Sequence, residues 1–313
     1  MSRIVSIITF YNPTHKCVDN ALRILNQSDL TIICDNSGKS NVNIIDNINC
    51  NEHNDADYES QKNVIAYRPF HENLGLSAAF NRVLFDQSFD WNDDDLVLFF
   101  DQDSVISENY IQEFINEFIN LENKKVAVGC LGPFFFDTST GTVRSPKLRR
   151  VIDKSCISVN SIITSSMLVR YRTLRQIHFW NEQIFLDMAD WDLCWRIKAQ
   201  GLLCIMTDKV ILHHSVGDGI KKIGGLITLD VGKSFREYYQ TRDCLYLLKK
   251  SYVPIKNKIR FILQVTLRPI LHIMFLKNKR ERAYYIKLGI KHYLQGITGA
   301  LKKEFLYTRE KTM

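Results

Sequence analysis

Two aspartates stand one residue apart in the segment Asp101-Gln102-Asp103. They directly follow residues 96–100, the most hydrophobic strand-like run in the chain. Mg²⁺ and Mn²⁺ prefer oxygen ligands and usually take one or two carboxylates together with substrate phosphates. A cation held there would neutralise the charge that builds up on a departing diphosphate. Acidic pairs are also common in solvated turns, but the position after a buried strand favours a metal role for Asp101 and Asp103.

A second acidic cluster contains Asp187, Asp190 and Asp192 and is followed by Arg196. Helical spacing over 190–200 predicts Asp190 at the N-cap, where a carboxylate stays ionised near neutral pH. Capping alone could explain an aspartate at this position. The functional interpretation is a general base that takes the proton of an attacking hydroxyl. Arg196 either pairs with this cluster or is a charge on the helix face.

Two adjacent histidines, His213 and His214, follow an apolar run. A single histidine is more often structural than a ligand. His214 has the more loop-like setting, and it is the candidate to complete a metal site or to contact a diphosphate. The glycines at 217, 219, 224 and 225 predict a mobile loop able to close over a ligand.

The elements that must position these residues alternate along the first half of the chain. Strands are predicted at 5–10, 30–34, 64–67, 96–100 and 126–131, with helices at 18–25 and 108–120. A loop at 73–77 is predicted to open a further helix that runs to about Phe85. This alternation is typical of a parallel sheet covered by helices. Ligands bind such sheets at the carboxyl ends of the strands. We therefore expect the strand-end residues to converge on one rim.

The predicted strand ends are rich in carboxylates, amides and glycine. The first ends near Thr9 and Tyr11, the second at Asp35, and the third before Asn73 and Gly75. The pattern is less regular in the second half. Strands are predicted there at 161–170 and 202–206, and from residue 233 onward the chain reads as helices broken at Pro254 and Pro269.

The net charge of +7 conceals an asymmetry between the two ends of the chain. Residues 249–313 contain 16 Lys or Arg and 3 Asp or Glu, whereas the first 248 residues carry a net charge of −6. After Pro254, lysines and arginines alternate with large apolar residues. This pattern predicts a cationic amphipathic helix that lies on an anionic membrane. Tyr284, Tyr285 and Tyr293 are expected near the headgroups. The alternative is that these helices pack on the catalytic domain.

The remaining composition limits the class of protein. The eight cysteines show no C-x-x-C pair, which indicates reduced, buried thiols in a cytosolic protein. No secretory leader is recognised at the start. The longest apolar stretch, residues 261–276, is too short and too polar to span a bilayer. No nucleic-acid-binding module accompanies the basic tail, so nucleic acid is not an expected partner.

The ordered set of motifs resembles family 2 glycosyltransferases of GT-A fold, over roughly residues 3–250. The resemblance rests on Thr9-Phe10-Tyr11-Asn12-Pro13, Asp35-Asn36-Ser37, Asn73-Leu74-Gly75, Asp101-Gln102-Asp103-Ser104 and Asp190-Trp191-Asp192-Leu193-Cys194-Trp195-Arg196. His214-Ser215-Val216-Gly217-Asp218 and Arg236-Glu237-Tyr238-Tyr239-Gln240-Thr241-Arg242 are similar to the bacterial rhamnosyltransferase branch. The implied fold is a GT-A α/β domain with a mainly parallel central sheet over 1–232, divided into a nucleotide-binding half (1–104) and an acceptor-binding half (105–232). A basic helical region over 233–313 follows it.

The resemblance also implies roles for individual residues. Asp35 would bind the nucleotide base, Thr9 and Tyr11 would line the nucleotide pocket, and Asn73 and Gly75 would border the donor. Asp101 would contact the ribose or the metal, and Asp103, with His214, would ligate Mg²⁺ or Mn²⁺. Asp190 would be the catalytic base, with Asp192 and Arg196 binding substrate. Family members often have an acidic residue where this chain has Ala189, so Asp187 and Asp192 stay open as alternative bases.

The expected activity is inverting transfer of a sugar, L-rhamnose from dTDP-L-rhamnose, to a lipid-linked saccharide. The setting would be O-antigen or capsule synthesis at the inner face of the cell membrane. One alternative keeps the fold and uses UDP-galactose, UDP-glucose or a galactofuranosyl donor. A sugar-1-phosphate nucleotidyltransferase would need an early Gly-rich basic loop, which residues 7–13 lack. The alternative from another class is a non-catalytic nucleotide-sugar-binding or scaffold protein.

Overall fold

The computed structural model describes residues 2–42, 63–137, 142–144, 149–214, 220–223, 227–230 and 232–308. The chain divides into two compact units. The first comprises Met1–Asn181 and Ala189–Ser215, and the second comprises Glu182–Met188 and Val216–Met313. The sequence predicts a division after residue 232, whereas the compact units divide after Ser215. The short segment Glu182–Met188, which lies between two parts of the first unit in sequence, also belongs to the second unit.

The described residues form twelve strands and eight α-helices. The strands are β1 (Ile4–Phe10), β2 (Leu30–Asp35), β3 (Val64–Pro69), β4 (Leu96–Asp101), β5 (Val128–Asp137), β6 (Thr142–Arg144), β7 (Arg150–Val151), β8 (Cys156–Val159), β9 (Met167–Arg170), β10 (Leu203–His214), β11 (Ile220–Ile223) and β12 (Ile227–Asp230). The α-helices are α1 (His15–Leu25), α2 (Leu76–Leu84), α3 (Tyr110–Asn123), α4 (Tyr171–Gln176), α5 (Ala189–Ala199), α6 (Arg236–Leu248), α7 (Ile255–Phe275) and α8 (Lys279–Leu294). Short 3₁₀ turns lie at Gln87–Phe89 and Lys303–Phe305.

The first unit is built on one large sheet with the strand order 3-2-1-4-9-5-10-8-7, and β6 pairs with β5. Strands β3, β2, β1 and β4 are all parallel, as is the pair β5 and β10. Strand β9 lies antiparallel between β4 and β5, and β8 and β7 continue antiparallel beyond β10. The predicted α/β architecture is confirmed, with a sheet that is parallel in its first half and mixed in its second.

The strand order places a switch point between β1 and β4. From β1 the chain moves outward through β2 to β3, and then returns to add β4 on the other side. In open α/β sheets, ligands bind outside the carboxyl ends of the strands at such a point. The backbone apposes Thr9 with Asp101 there.

The sequence pattern forms these elements for simple physical reasons. Residues 96–100 of β4 are at most 2% exposed, because helices cover both faces of a parallel strand and all its side chains must be apolar. Helix α2 starts after Gly75, whose φ of +82° is a conformation that glycine adopts without strain. Each element predicted in residues 5–131 is present, with ends shifted by a few residues.

The second half differs more from expectation. Only Met167–Arg170 of the predicted strand 161–170 is a strand, because Thr164 to Ser166 form a turn in which Ser166 has a φ of +62°. Residues 203–206 of the predicted strand 202–206 and the apolar run before His213 belong to a single strand, β10, with an irregularity between Thr207 and Ile211. A bulge lets one strand change its register without ending.

The second unit contains α6, α7 and α8 and the hairpin of β11 and β12. Helix α8 approaches α6 closely at Gly289, where a Cβ atom would lie 2.8 Å from the Tyr238 carbonyl oxygen. Pro254 precedes α7 as predicted, but Pro269 does not end the helix, which continues to Phe275. The predicted break at Pro269 is therefore wrong.

Tertiary contacts on both sides of Pro269 explain why α7 continues. The buried carboxylate of Glu237 on α6 pairs with His272 at 2.6 Å and with Arg268 at 3.5 Å. Arg282 of α8 binds the same carboxylate at 2.7 Å. Burial alone would raise the pKa of Glu237, but the His272 hydrogen bond and the nearby arginine charges lower it overall. Glu237 thus fixes the inner side of α7 to its neighbours.

Candidate active site

The rim at the switch point begins with Thr9 and Asp101, which are register partners on β1 and β4. The hydroxyl oxygen of Thr9 is buried and accepts or donates no hydrogen bond within the described chain. Leaving a buried hydroxyl unpaired costs about 1–3 kcal/mol. A ligand atom at the rim would remove that cost, which fits the predicted place of Thr9 in a nucleotide pocket.

Asp101 is held in one orientation by Ser104, which belongs to the acidic motif, and by Ser165, which lies in none of the motifs. Ser165 donates a hydrogen bond to Asp101 Oδ2 at 2.7 Å, and Ser104 lies 3.0 Å from Ser165. Ser104 Oγ also accepts the Asp101 backbone N–H at 3.2 Å. The run of small hydroxyl residues at 164–166, inside an otherwise apolar segment, was the only sequence feature that could have indicated Ser165.

The middle residue of the acidic motif connects the two strand ends. The side-chain oxygen of Gln102 accepts the backbone N–H of Tyr11 at 2.8 Å. Tyr11 itself is 50% exposed at the end of β1. The structure therefore places Tyr11, Asp101 and Thr9 together on the rim, with the Tyr11 ring open to a ligand.

Asp103 is exposed two residues beyond β4. In the described chain, the groups of three or more ligand atoms within 4.8 Å are Cys130–Cys194–Cys204 and Glu117–Asp153–Cys156. The rim carboxylates belong to neither group, so they do not form a closed protein cage. One or two carboxylate ligands fit a Mg²⁺ or Mn²⁺ ion that completes its shell with substrate phosphates and water.

Part of the predicted metal set lies outside the described side chains. Strand β10 ends at His214, and the side chains of His213 and His214 are outside the described set. The glycine-rich loop predicted after them also falls largely outside the described residues. The metal role of His214 stays a prediction.

Asp35 lies at the end of β2 and is 1% exposed. Its carboxylate accepts the Ser37 backbone N–H at 2.9 Å, the Asn41 amide at 2.8 Å and the Tyr67 hydroxyl at 2.5 Å. Burial and the bond to Asp35 raise the pKa of Tyr67 to about 12, so the phenol remains a donor. A carboxylate has about four lone-pair sites. Asp35 thus orders the loop after β2 and retains capacity for one more donor.

The loop before α2 is fixed by two asparagines. Asn73 accepts the Gly75 backbone N–H at 3.0 Å. Asn36, at the end of β2, accepts the Leu74 backbone N–H at 3.2 Å and donates to the Gly75 carbonyl at 3.2 Å. This places Asn73 and Gly75 beside the end of β2. Their role in bordering the donor stays a prediction.

The candidate base, Asp190, lies in the first turn of α5, which begins at Ala189. It is therefore inside the helix, not at the predicted N-cap. Its Oδ1 accepts the Trp191 backbone N–H at 2.8 Å. Burial raises the pKa of Asp190 to about 7, with Cys194 and Asp101 acting in the same direction against the Trp191 hydrogen bond. The sequence predicts that Asp190 is fully ionised near neutral pH. This prediction is wrong, because burial and the charge of Asp101 keep part of the carboxyl groups protonated at that pH.

A pKa near 7 suits a general base, because such a group exchanges protons readily at neutral pH. It also has a consequence for stability. The unfolded chain ionises Asp190 near pH 3.9, whereas the folded chain keeps the proton until about pH 7. The free energy of unfolding therefore falls as pH rises between these values.

We expect Asp190→Asn to raise the Tm of the metal-free protein at pH 8, because asparagine carries no charge to bury. At about pH 4 the two proteins should melt together, because Asp190 is then protonated in the folded wild type as well. Thermal unfolding by circular dichroism at both pH values measures this. An equal Tm difference at both pH values would show that the charge of Asp190 is not the cause.

The other two aspartates of this cluster form salt bridges with arginine side chains. Asp192 is 0% exposed and pairs with Arg196 at 2.7 Å. Arg196 also donates to the carbonyl oxygens of Ile177 and Phe179, both at 2.6 Å. This pair anchors the turn that follows α4, and it lies inside the fold. It gives Asp192 and Arg196 a structural task, and their predicted role in substrate binding stays a prediction.

Asp187 belongs to the second unit. Its carboxylate accepts Arg236 at 2.5 Å and Gln240 at 3.0 Å. An arginine and an amide thus already occupy this carboxylate. Among the three aspartates of the cluster, Asp190 has the environment of a base.

A cavity of about 810 Å³ lies elsewhere in the first unit. It is lined by Val128 and Leu202, at the starts of β5 and β10, and by Arg170, at the end of the antiparallel β9. These positions mark the edge of the sheet opposite to the rim. Its Arg170 is paired with Glu122 at 2.5 Å, and the cavity shares no residue with the site described above.

Comparison with known proteins places this geometry in context. No protein-family model matches the chain. The chain is 27% identical over 313 residues to the dTDP-rhamnosyl transferase RfbF of Shigella flexneri, covering 95% of this chain and 96% of that protein.

Two solved structures are similar in fold. A crystal structure of GalNAc-T7 with UDP, GalNAc and Mn²⁺ has a TM-score of 0.51 at 9% identity, over 83% of this chain. The chain spans 54% of GalNAc-T7. S. aureus TarS 1–349 in complex with UDP-GlcNAc has a TM-score of 0.53 at 11% identity, over 94% of this chain and 81% of that one. These likenesses show the GT-A fold.

Proposed function

We propose that this family 2-like glycosyltransferase of GT-A fold transfers L-rhamnose from dTDP-L-rhamnose with inversion of the anomeric configuration. Two observations support the proposal: Asp101 is apposed to Thr9 at the switch point of the sheet, and burial raises the pKa of Asp190 to about 7, with a contribution from the charge of Asp101. The similarity to RfbF along nearly the whole chain supports the choice of donor.

In this proposal, Asp190 acts as the base. Its carboxylate accepts the proton of the acceptor hydroxyl as that oxygen forms a bond to the anomeric carbon. The bond from that carbon to the diphosphate oxygen breaks with its electron pair, and the nucleotide diphosphate leaves. Attack from the face opposite to the leaving group inverts the anomeric configuration. A carboxyl group with a pKa near 7 is able both to accept this proton and to release it afterwards.

Asp101 and Asp103, with His214, are the residues that would hold Mg²⁺ or Mn²⁺. The bound cation would supply neutralisation of the charge developing on the diphosphate. The chain itself contributes the orientation of Asp101, which Ser165 and Ser104 hold. The exposure of Asp103 leaves its carboxylate accessible to a cation that arrives with the donor.

The donor nucleotide would occupy the neighbouring strand ends. Tyr11 offers an exposed ring for stacking on the base, and Thr9 offers its unpaired hydroxyl. Asp35 would accept a donor from the base with its remaining lone pairs. Asn73 and Gly75 would border the sugar diphosphate, in a loop already fixed by Asn36.

The acceptor in this proposal is a saccharide on a membrane lipid, in the synthesis of a bacterial surface polysaccharide such as O-antigen or capsule. The protein would work as a peripheral protein at the cytoplasmic face of an anionic membrane. No helix in the described residues is long and apolar enough to cross a membrane. The strongly basic segment 249–313 supports contact with an anionic surface.

A panel of nucleotide sugars tests the donor. We expect dTDP-L-rhamnose to be hydrolysed or transferred by the purified protein at least tenfold faster than UDP-galactose or UDP-glucose. Product formation is measured by release of the nucleotide diphosphate. Faster turnover of a UDP-sugar would replace the donor but keep the chemistry. Nucleotide-sugar binding without any turnover would favour a non-catalytic binding protein.

A further inference from the structure

Helix α7 has an outer face that is apolar and exposed. Seven large apolar side chains recur along it at intervals of one to four residues and share one side of the helix. The exposed apolar face consists of Ile255, Ile259, Ile262, Leu263, Leu267, Ile270 and Met274. Each of them is between 50% and 70% exposed. A large contiguous apolar patch on a protein surface usually marks a site that binds a protein, a membrane or a ligand.

The opposite side of α7 already has its partners. Phe261, Pro269 and His272 are the buried residues of the helix. His272 and Arg268 bind Glu237 of α6 on this inner side. The exposed apolar face therefore cannot turn inward without breaking this buried ion network and leaving its charges unpaired.

The charges around the exposed apolar face identify the chemistry of its partner. Lys256, Lys258 and Arg260 belong to the first turns of α7, beside Ile255 and Ile259. Lys277, Lys279 and Arg280 follow its other end. A row of large apolar side chains with cations at both ends fits a surface that has an apolar interior and anionic groups above it.

We propose that the exposed apolar face of α7 docks into the interfacial layer of an anionic lipid bilayer, with the helix lying in the membrane plane. Helix α7 lies in the interface and does not span the membrane, because no described helix is long and apolar enough to cross one. A second copy of the chain is a poorer partner, since a symmetric contact would bring the basic residues of both copies together. This deepens the proposed membrane location and does not depend on the identity of the donor.

The proposal assigns the membrane contact to α7 and not to α8. Tyr285 of α8 is 3% exposed, and Tyr284 packs against Tyr307. Tyr293 lies edge-on to Tyr246 and under the Lys249 ammonium. The expected placement of Tyr285 among the lipid headgroups is therefore wrong, because the second unit buries its ring. The expected placement of Tyr284 and Tyr293 stays a prediction.

Vesicle co-sedimentation of the full chain tests the proposal. We expect binding to vesicles of phosphatidylcholine with 30% phosphatidylglycerol, and at least tenfold weaker binding to pure phosphatidylcholine. Ile259→Ser combined with Leu263→Ser should lower binding to the anionic vesicles at least tenfold. Both side chains are more than half exposed, so the fold should persist. A charge variant, Lys256→Glu with Arg260→Glu, should lose binding as well.

Leu294→Ser is the matched control, because Leu294 is 75% exposed but lies at the end of α8. It should bind as the wild type does. Unchanged vesicle binding by the double serine variant would overturn the proposal. So would a wild-type dimer that the same variant makes monomeric, since that result would identify a second copy as the partner. Donor hydrolysis without vesicles, measured in parallel, should be the same in all variants, so a failure of docking is distinct from a failure of the proposed chemistry.

Discussion

Asp190→Asn is expected to lower the rate of sugar transfer by about 100- to 10,000-fold, the usual contribution of a positioned general base. Asparagine keeps the shape of the side chain but cannot accept the proton of the acceptor hydroxyl. Binding of the nucleotide sugar should change little, since Asp190 is proposed to act on the acceptor. Steady-state kinetics with the preferred donor, and calorimetric titration of the nucleotide, measure the two effects separately.

Asp187→Asn is the informative comparison, because it removes a carboxylate from the same cluster. Asp187 is bound by Arg236 and Gln240, so its loss should affect the rate far less than the loss of Asp190. In the wild type, kcat/KM should rise with pH through about 7, as Asp190 releases its proton. A larger loss in Asp187→Asn than in Asp190→Asn would transfer the base role to Asp187.

Removal of divalent metal is expected to lower transfer by about 100- to 1,000-fold, similar to the loss of one group that stabilises developing charge. Treatment with EDTA should abolish most activity, and excess Mn²⁺ or Mg²⁺ should restore it. Asp103→Asn should shift the metal concentration needed for half-maximal activity upward, because it removes an accessible ligand. Initial rates over a metal titration measure both effects.

Glu108→Gln is the control for this experiment. Glu108 is an exposed acidic residue five positions after Asp103, and its loss should leave the metal titration unchanged. Full activity of the wild type in EDTA would show that the diphosphate leaves without a cation. An equal shift in Glu108→Gln and Asp103→Asn would indicate a general effect of surface charge and no specific ligand.

The sequence was sufficient to predict the parallel half of the sheet. Residues 96–100 have no polar side chain, and such a run is stable only when covered on both faces. The polar residues that follow each strand therefore had to lie at one edge, and the structure apposes Thr9 with Asp101 there. Local pattern and global fold agree in this half of the chain, which is why the prediction succeeded.

The features that the sequence could not provide all depend on tertiary contacts. Pro269 should end a helix by local rules, yet α7 continues because Glu237 holds residues on both sides of it. The serine that orients Asp101 is 64 residues away in sequence. The raised pKa of Asp190 follows from burial and from the distant Asp101, neither of which is visible in a local motif.

The most direct measurement of the central claim is a crystal structure with dTDP-L-rhamnose or dTDP and Mn²⁺, with the metal located by its anomalous signal. We expect one peak bonded to Asp103 or Asp101 and to the diphosphate, with Asp190 facing the anomeric carbon from the opposite side. A peak at the buried Cys130, Cys194 and Cys204 thiols, or a nucleotide bound away from the ends of β1 and β4, would contradict it.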